Sequence, residues 1–446
     1  MAIQRRRHTD RKGVPQDTPE YAPDVHLNLN VRGMLPSATL AIQEKCTALR
    51  AQRREVFTLG LGQSPFPVPR PVIEELQANA HQKAYLPVRG LPALREAVAE
   101  YYHRSQGVAH TPDDVLIGPG SKELMFILQL VYYGEIVIPS PAWVSYAPQA
   151  KIIGRQINWI HTRRENGWLL TPDELESVCR DDPDKPRIVV LNYPSNPTGC
   201  SYIAEQLEAL ARVAREYRVV LLSDEIYGEL DFNGRHVSIA RFYPEGTIIS
   251  SGLSKWCGAG GWRLGTFTFP ENMGWLMDGM AAVASETYTS TSAPIQYAAV
   301  RAFSGGARLE EYLWIARRIL GALGMWSTSK LRAAGALLPD PAGGFYLFPD
   351  FAPLAEKLSA RGIRTSRALC EKLLEDTGVA ALPGSEFGRP ASELTVRIAY
   401  VDFDGARAHA SLATVPRDTP VTEEFLRANC DRTLRAIDLM CEWVKG

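Results

Sequence analysis

Short apolar runs alternate with amphipathic stretches along the chain from about residue 112. Seven of these runs have the composition of buried strands, and they read DVLIG, EIVIPS, QINWIH, RIVVLNY, VVLLSDE, TIISSG and RLGTFTF. Helical patterns separate them, such as AEQLEALARVAREY, in which apolar residues recur every three or four positions. Strands that alternate with helices are typical of a mostly parallel sheet with helices on both faces. The pattern therefore predicts an α/β fold built around a seven-stranded sheet.

Further patterns lie on both sides of this alternation. Before it, PSATLAIQEKCTALRAQ predicts a helix that Ser37 caps after Pro36. After it come a long helical pattern over about 309–333, the stretch GGFYLFPDF, a helix near 366–376, the strand LTVRIAYV and a final helix from about Thr422. The segment HASLATVPRDTPVT, which precedes that last helix, is predicted to be a surface loop.

Composition and charge narrow the class of protein. The chain has 446 residues, more than one domain usually holds, and 45% of them are hydrophobic, so a sizeable core is expected, with either two domains or one large domain and a satellite. A formal net charge of -1 gives no reason to expect a nucleic acid or an anionic membrane as partner. No apolar run approaches the roughly 18–20 residues of a membrane span. The basic N-terminus MAIQRRRHTDRKG is expected to be a disordered or extended arm, with a weak targeting sequence as the alternative.

Cysteine and histidine usage argues against disulfides and metals. The seven cysteines form no CxxC pair and are odd in number, which favours buried thiols in a reducing, cytoplasmic compartment. The eight histidines are scattered and no HExxH motif occurs, so no metal site is expected.

One lysine stands in a loop of small residues. Lys255 lies in SSGLSKWCGAGGWRLG (250–265), directly after a predicted strand, and Arg263 follows eight residues later. A lysine amine becomes a nucleophile near neutral pH when burial or a neighbouring cation lowers its pKa. Small neighbours let a bulky group approach, and the expected chemistry is a Schiff base with an aldehyde, either a substrate or pyridoxal phosphate. A solvated loop lysine is the alternative.

A second segment has the features of a phosphate site. GPGSKEL (118–124) follows a predicted strand and opens a helix, so its backbone N–H groups and the helix dipole suit an anion. Ser254 and Arg263, which flank the lysine, are expected to add charge-assisted hydrogen bonds to the same phosphate. The chain has no strand that runs into a GxGxxG loop, which argues against a nicotinamide dehydrogenase.

Three further side chains are expected at the carboxyl edge of the sheet, where open α/β folds bind ligands. Asp224 ends the apolar strand in LLSDEIYGEL, and a carboxylate there either pairs with a cation such as a protonated pyridine nitrogen or caps the next turn. Asn196 lies in the turn-rich NYPSNPTGCSY, where its amide is available as a donor. Trp143 in SPAWVSY is placed either to stack on a flat ring or to pack in the core.

Arg397 has two interpretations. In LTVRIAYV it alternates with apolar residues, so on a strand its side chain is expected to point away from the core-facing side. There it is either a solvated arginine or a fork that binds a carboxylate.

Four markers occur in the order NPTG, SDEIY, SK and, eight residues beyond the lysine, GWRLG. Together they resemble the class I/II aminotransferases of pyridoxal-phosphate fold type I, in the branch of the bacterial-type aspartate and aromatic aminotransferases. The similarity extends from about residue 36 to the last helix. It implies an N-terminal arm, the first part of a smaller α+β domain, a large pyridoxal-phosphate-binding domain and the second part of the small domain, over 1–30, 31–70, 71–325 and 326–446.

The resemblance also implies a role for each candidate residue. Lys255 would form the internal aldimine with pyridoxal 5'-phosphate and then move the proton between substrate and cofactor, and Asp224 would pair with the pyridinium nitrogen. The other implied contacts are Tyr227 and Asn196 at the phenolate oxygen, Trp143 on the ring, Ser121, Lys122, Ser254 and Arg263 at the phosphate, and Arg397, Gly62, Asn196 and Trp143 at the substrate. Tyr85 would reach the phosphate of a neighbouring subunit, which implies a homodimer with shared sites.

The leading hypothesis is transfer of an α-amino group from an L-amino acid to a 2-oxo acid. The main alternative is another reaction at Cα on the same scaffold, by a lyase, decarboxylase, oxidase or synthase; Arg397 favours transamination because it would retain the carboxylate. A non-catalytic relative is disfavoured because Lys255 and Asp224 are both present. An acidic substrate would need a second cation, for which Arg89 is the candidate, and an aromatic substrate would need an apolar pocket.

Overall fold

The structure of this chain, a computed structural model, describes residues 26–34 and 38–446. Residues 26–34 belong to a separate unit and form turns, in which the N–H groups of Val31 and Arg32 donate to the Asn28 carbonyl oxygen. The cap expected at Ser37 and the part of the arm before residue 26 lie outside the described residues.

Within residues 38–446, the predicted elements occur in their predicted order, together with further strands and helices that were not predicted. The strands are β1 (Phe57–Thr58), β2 (Val115–Gly118), β3 (Glu135–Ser140), β4 (Ile157–His161), β5 (Arg187–Asn192), β6 (Val220–Asp224), β7 (Thr247–Gly252), β8 (Gly265–Thr268), β9 (Tyr346–Leu347), β10 (Val379–Ala380), β11 (Leu382–Pro383) and β12 (Val396–Ala399). The α-helices are α1 (Ala38–Ala51), α2 (Arg70–Asn79), α3 (Pro92–Gln106), α4 (Ser121–Val131), α5 (Tyr146–Ile152), α6 (Pro172–Arg180), α7 (Ala204–Glu216), α8 (Gly274–Thr287), α9 (Ala293–Ser304), α10 (Ala307–Ala333), α11 (Ala355–Ala360), α12 (Ser366–Thr377), α13 (Gly405–Ala413) and α14 (Glu423–Lys445).

The seven predicted strands form one sheet in the order β2-β8-β7-β6-β5-β3-β4, so the prediction of a mostly parallel seven-stranded sheet is confirmed. The strands from β3 to β7 run parallel, whereas β8 is antiparallel to both β7 and β2. The register places Asn192 opposite Asp224, and Asp224 opposite Ser250. The last residues of β5 and β6 therefore lie side by side at the carboxyl edge, where ligands of such sheets bind.

Both faces of this sheet are buried. Ile188 and Val190 of β5 pack in a cluster that includes α4 and α8, whereas Val189 and Leu191 pack in a second cluster with α6 and α7. A strand that is covered on both faces has no polar face to show in its sequence. This is why RIVVLNY and its neighbours read as continuous apolar runs.

Shorter strands precede and follow the strands of the large sheet along the chain. Strand β12 pairs antiparallel with β11 and β9. Strand β1 pairs parallel with β10, which joins a segment of 31–70 to a segment of 326–446. The division of the chain into a large and a small domain at the expected boundaries stays a prediction.

The region before the last helix differs in part from its prediction. Residues 409–413, expected in a surface loop, are the end of α13. The Asp404 side chain accepts a hydrogen bond from the Arg407 N–H and caps this helix, while Ala408 and Leu412 bury one side of it. The loop prediction is therefore wrong for 409–413. The final helix begins at Glu423, and the Thr422 hydroxyl caps it.

The described residues also bear on membranes, metals and thiols. Within 26–34 and 38–446, no helix has both the length and the apolar character of a membrane span. The same residues contain no group of three or more His, Cys, Asp or Glu side chains that could hold a metal ion. All seven cysteines are free and buried, as expected.

Candidate active site

A cavity of about 440 Å³ lies at the carboxyl edge of the large sheet, a volume typical of small-molecule sites. Its wall combines residues 61–63, the start of α4, the ends of β5 and β6, and the loop after β7. The sequence-predicted residues that line it are Gly62, Ser121, Lys122, Trp143, Asn196, Asp224, Tyr227, Ser254, Lys255 and Arg263. The fold thus brings these residues together from distant parts of the chain.

The half-buried Lys255 lies at the cavity wall. Its Nζ donates a hydrogen bond to the Gly62 carbonyl oxygen at 2.8 Å and lies 5.7 Å from the centre of the Tyr227 ring. Ser254 precedes it, and Gly260 and Gly261 also line the cavity. Since these neighbours are small, the loop leaves a ligand room to reach the amine.

Asp224 is a buried carboxylate at the end of β6, with 4% of its surface exposed. The Tyr146 hydroxyl donates to its Oδ2 at 2.6 Å, whereas its Oδ1 has no hydrogen-bond partner among the described residues. Burial raises the pKa of Asp224 to about 6, against the opposing effects of hydrogen bonds from the Tyr146 hydroxyl and the Ile226 backbone N–H and of the Lys255 charge. A buried polar atom without a partner is costly, so Oδ1 is a binding position for a donor or a cation in the cavity.

The NPTG turn is tied to the end of the sheet by a side chain that the sequence analysis did not single out. Asn192 donates from Nδ2 to the Asp224 carbonyl oxygen at 2.9 Å, and its Oδ1 accepts from the Asn196 N–H at 2.7 Å. Gly199 of the same turn has a φ of +74°, and a Cβ there would overlap the Tyr346 backbone. These constraints hold Asn196 at the cavity.

Positive charge and free backbone donors mark one end of the cavity. Helix α4 begins at Ser121, so its first N–H groups have no partner within the helix. Arg263 donates to the carbonyl oxygens of Gly260 at 3.0 Å and Pro119 at 3.2 Å, and a Cβ at Gly120 would overlap its guanidinium. Burial, followed by the Arg263 charge, lowers the pKa of Lys122. This end is suited to an anion such as a phosphate.

Arg397 lies beside the cavity and is buried, with 2% of its surface exposed. Its guanidinium donates to Asn196 Oδ1 at 3.3 Å and to the Gly60 carbonyl oxygen, and it lies 4.8 Å from the centre of the Tyr346 ring. Its Nε has no partner among the described residues, and Arg397 has no ion pair with a carboxylate there. The solvated interpretation is therefore wrong, because β12 is buried on both faces, and a buried cation without a counter-ion is suited to bind a carboxylate.

Comparison with known proteins decides the family. The model of the protein family 'aminotransferase class I and II' matches residues 54–405. The chain belongs to this family.

Several aminotransferases are similar to it over most of their length. An aspartate aminotransferase from Geobacillus stearothermophilus is 34% identical over 380 residues, which cover 83% of this chain and 93% of that protein. The asparagine–oxo-acid transaminase of Streptococcus mutans is 31% identical over 390 residues, covering 84% and 94%. A solved aspartate aminotransferase from Thermus thermophilus with maleate aligns at a TM-score of 0.77 and 32% identity, covering 93% of this chain and 100% of that one. The predicted fold type I and aminotransferase function are confirmed.

Three predicted residues of this aminotransferase do not line the cavity, namely Arg397, which lies beside it, Tyr85 and Arg89. Tyr85 is 89% exposed and does not line it. Arg89, the sequence candidate for a second substrate cation, does not line it either and instead pairs with Asp278. The cation that does line the cavity near the ring-stacking position is Lys122, whose Nζ lies 5.6 Å from the centre of the Trp143 ring.

Three contacts of the aminotransferase site were missed by the sequence analysis. They involve Tyr146, which binds Asp224, Asn192, which holds the NPTG turn, and Tyr346, whose hydroxyl lies 2.9 Å from that of Tyr227. Tyr146 and Tyr346 stood in quoted stretches, SPAWVSY and GGFYLFPDF, without a role. The missing signal was tertiary for Tyr146 and Tyr346, whose partners come from other elements, and for the bond from Asn192 to Asp224 on the neighbouring strand. The bond between Asn192 and Asn196, in contrast, spans only four residues.

Proposed function

We propose that this aminotransferase uses pyridoxal phosphate bound to Lys255. The observation that carries the proposal is the unpartnered Oδ1 of Asp224, in the same cavity as an amine and an anion site. A pyridinium N–H is a donor and a cation, so it fits Oδ1, while Arg263, Ser254 and the backbone N–H groups at the start of α4 fit the phosphate, which leaves the Lys122 ammonium free for another anion. When bound, this cofactor withdraws electrons from the substrate Cα.

The residues of the chain then have separate tasks. Lys255 Nζ would accept the proton that leaves the substrate Cα, because this amine lies at the wall of the cavity that would hold the substrate. Asp224 would keep the ring nitrogen of the cofactor protonated, and Trp143 would stack on the ring. Tyr227 and Asn196 line the cavity as donors for a ring oxygen.

Arg397 is the proposed site of the substrate α-carboxylate. Its buried guanidinium has an unpartnered Nε and a hydrogen bond to Asn196, which lines the cavity. A group that retains the carboxylate favours transamination over decarboxylation. We further propose an acidic amino acid such as aspartate as the donor, since relatives are named aspartate aminotransferases and the Lys122 ammonium is available for a second carboxylate.

The proposed assembly is a cytoplasmic homodimer with shared sites. Tyr85 supports it as a large aromatic side chain that is 89% exposed on this chain, as expected if it reaches a neighbouring subunit. Seven buried, unpaired cysteines support a reducing compartment. Sedimentation of the purified protein tests the dimer, and a Tyr85→Phe variant with unchanged cofactor affinity would contradict the shared site.

The proposed function is tested by visible spectroscopy of the purified protein with single L-amino acids and no oxo acid. Aspartate is expected to bleach the band of the lysine-bound cofactor, and an added 2-oxo acid is expected to restore it. A band that persists with every amino acid, or a change that no oxo acid reverses, would contradict transamination through Lys255. No band after addition of pyridoxal phosphate would contradict the cofactor.

A further inference from the structure

Tyr346 contacts three parts of the active site without lining the cavity. It is 1% exposed and lies on β9, where Ala399 of β12 is its partner in register. Its hydroxyl lies 2.9 Å from that of Tyr227, and its ring lies 4.8 Å from the Arg397 guanidinium. Its hydroxyl also packs against Gly62, where a Cβ would overlap it. Tyr346 therefore contacts both Tyr227, a proposed ligand of the cofactor, and Arg397, the proposed site of the substrate carboxylate.

The direction of the hydrogen bond between the two hydroxyls follows from their surroundings. Among the described residues, Tyr227 is the hydrogen-bond partner of the Tyr346 hydroxyl, and no other acceptor contacts it. If Tyr227 were the donor, the buried Tyr346 proton would have no acceptor, which is costly. With Tyr346 as the donor, its proton is satisfied and the Tyr227 proton is free to point into the cavity that Tyr227 lines.

The ring of Tyr346 has a second task. Arg397 is a buried cation without an ion pair among the described residues, and the ring faces of Tyr346 and Phe387 lie 4.8 and 5.2 Å from its guanidinium. An aromatic face stabilises a desolvated guanidinium and fixes its plane. The plane of the guanidinium sets the direction in which it can bind a carboxylate.

We propose that Tyr346 is a positioning residue: its hydroxyl donates to Tyr227 and directs the Tyr227 proton into the cavity, while its ring holds the Arg397 guanidinium for the substrate carboxylate. The assignment rests on the proposed use of pyridoxal phosphate. It goes beyond that proposal because it separates two effects of one side chain, a hydroxyl effect at the cofactor and a ring effect at the substrate.

The hydroxyl effect is tested with Tyr346→Phe in the pyridoxal-phosphate-loaded enzyme. The measurement is the pH midpoint at which the visible band of the lysine-bound cofactor changes. A Tyr227 proton donated to the cofactor ring oxygen stabilises the deprotonated form, so its weakening should raise the midpoint by about half a pH unit. The midpoint is read from loaded molecules alone, so partial misfolding does not alter it.

Matched variants decide whether the effect passes through Tyr227. In a Tyr227→Phe background, Tyr346→Phe should leave the midpoint unchanged. Tyr400→Phe is the control, because it removes a fully buried hydroxyl that has no partner among the described residues, and it should not move the midpoint either. An unchanged or lowered midpoint in Tyr346→Phe, or an equal rise in both backgrounds, overturns the hydroxyl assignment.

The ring effect is tested by titration with maleate, an unreactive dicarboxylate. Tyr346→Leu should weaken maleate binding about fivefold, whereas Tyr346→Phe, which keeps the ring, should stay within about twofold of the wild type. Equal affinities in all three proteins overturn the ring assignment. A wild type that takes up no pyridoxal phosphate overturns the proposed function and this inference together, whereas a loaded wild type with unresponsive variants overturns this inference alone.

Discussion

Asp224 and Arg397 are opposite charges, each almost fully buried at one active site, but the fold stabilises them in different ways. Asp224 accepts a hydrogen bond from the Tyr146 hydroxyl, has no partner at Oδ1 among the described residues, and has its pKa raised to about 6 by burial. The Arg397 guanidinium donates to a backbone carbonyl oxygen and to a side-chain amide oxygen, and it lies against two aromatic rings. A carboxylate can reduce the cost of burial by taking up a proton, whereas a guanidinium stays charged. In the absence of a ligand, Arg397 therefore needs more stabilising partners from the protein than Asp224 does.

The largest effect on catalysis is expected at Asp224, because its unpartnered oxygen is the proposed partner of the cofactor ring nitrogen. Asp224→Ala should lower kcat by about a thousandfold or more, since several kcal/mol of barrier depend on a protonated ring nitrogen. Steady-state kinetics with saturating pyridoxal phosphate would measure this. A loss of less than about tenfold would contradict the pairing of Asp224 with the cofactor nitrogen.

The next expected effect is on stability, which should depend on pH through Asp224 but not through Arg397, whose guanidinium stays charged. The pKa of Asp224 in the folded chain, about 6, lies above its ordinary value of 3.8. The stability linked to its proton is therefore complete below about pH 4 and is lost as the pH rises through 6, by about 3 kcal/mol in the cofactor-free protein. Asp224→Asn, which cannot ionise, should lack this loss.

Chemical unfolding of both cofactor-free proteins between pH 4 and 8 is the measurement. Their difference in unfolding free energy should grow with pH in favour of the asparagine variant and level off above about 7. A constant difference would mean that Asp224 does not titrate in this range.

Arg397→Leu should act mainly on substrate binding. We expect KM for an amino acid to rise about a hundredfold with a smaller change in kcat, because a charge-assisted, bidentate contact is lost. The midpoint of the cofactor band should stay close to that of the wild type. An unchanged KM would place the substrate carboxylate elsewhere.

The smallest expected effect concerns Lys122, another cation that lines the cavity. Lys122→Gln should raise KM for aspartate about tenfold and leave KM for alanine within about twofold, because only aspartate has a second carboxylate. Arg89→Leu is the matched control, since Arg89 pairs with Asp278 outside the cavity. A larger effect of the Arg89 variant would restore the assignment made from the sequence.

Asp224 and Arg397 also differ in how well their positions could be predicted from the sequence. Asp224 follows an apolar strand, and strand ends of parallel sheets meet at the ligand edge, so its place was predictable from local sequence. Arg397 was ambiguous because alternation predicts a side chain opposite the core-facing residues, yet β12 is covered on both faces by packing that only tertiary structure defines. For the same reason α13 was missed, whose buried side became apparent only when its neighbours were in place.

The complete burial of the cysteines has a practical consequence for labelling. A thiol reagent applied to the folded chain meets no exposed native sulfur, because all seven cysteines are covered. A single cysteine introduced at the 89% exposed position of Tyr85 would therefore carry one fluorophore at a defined place. Energy transfer between differently labelled copies would then report, in real time, whether and how fast two chains meet at that surface.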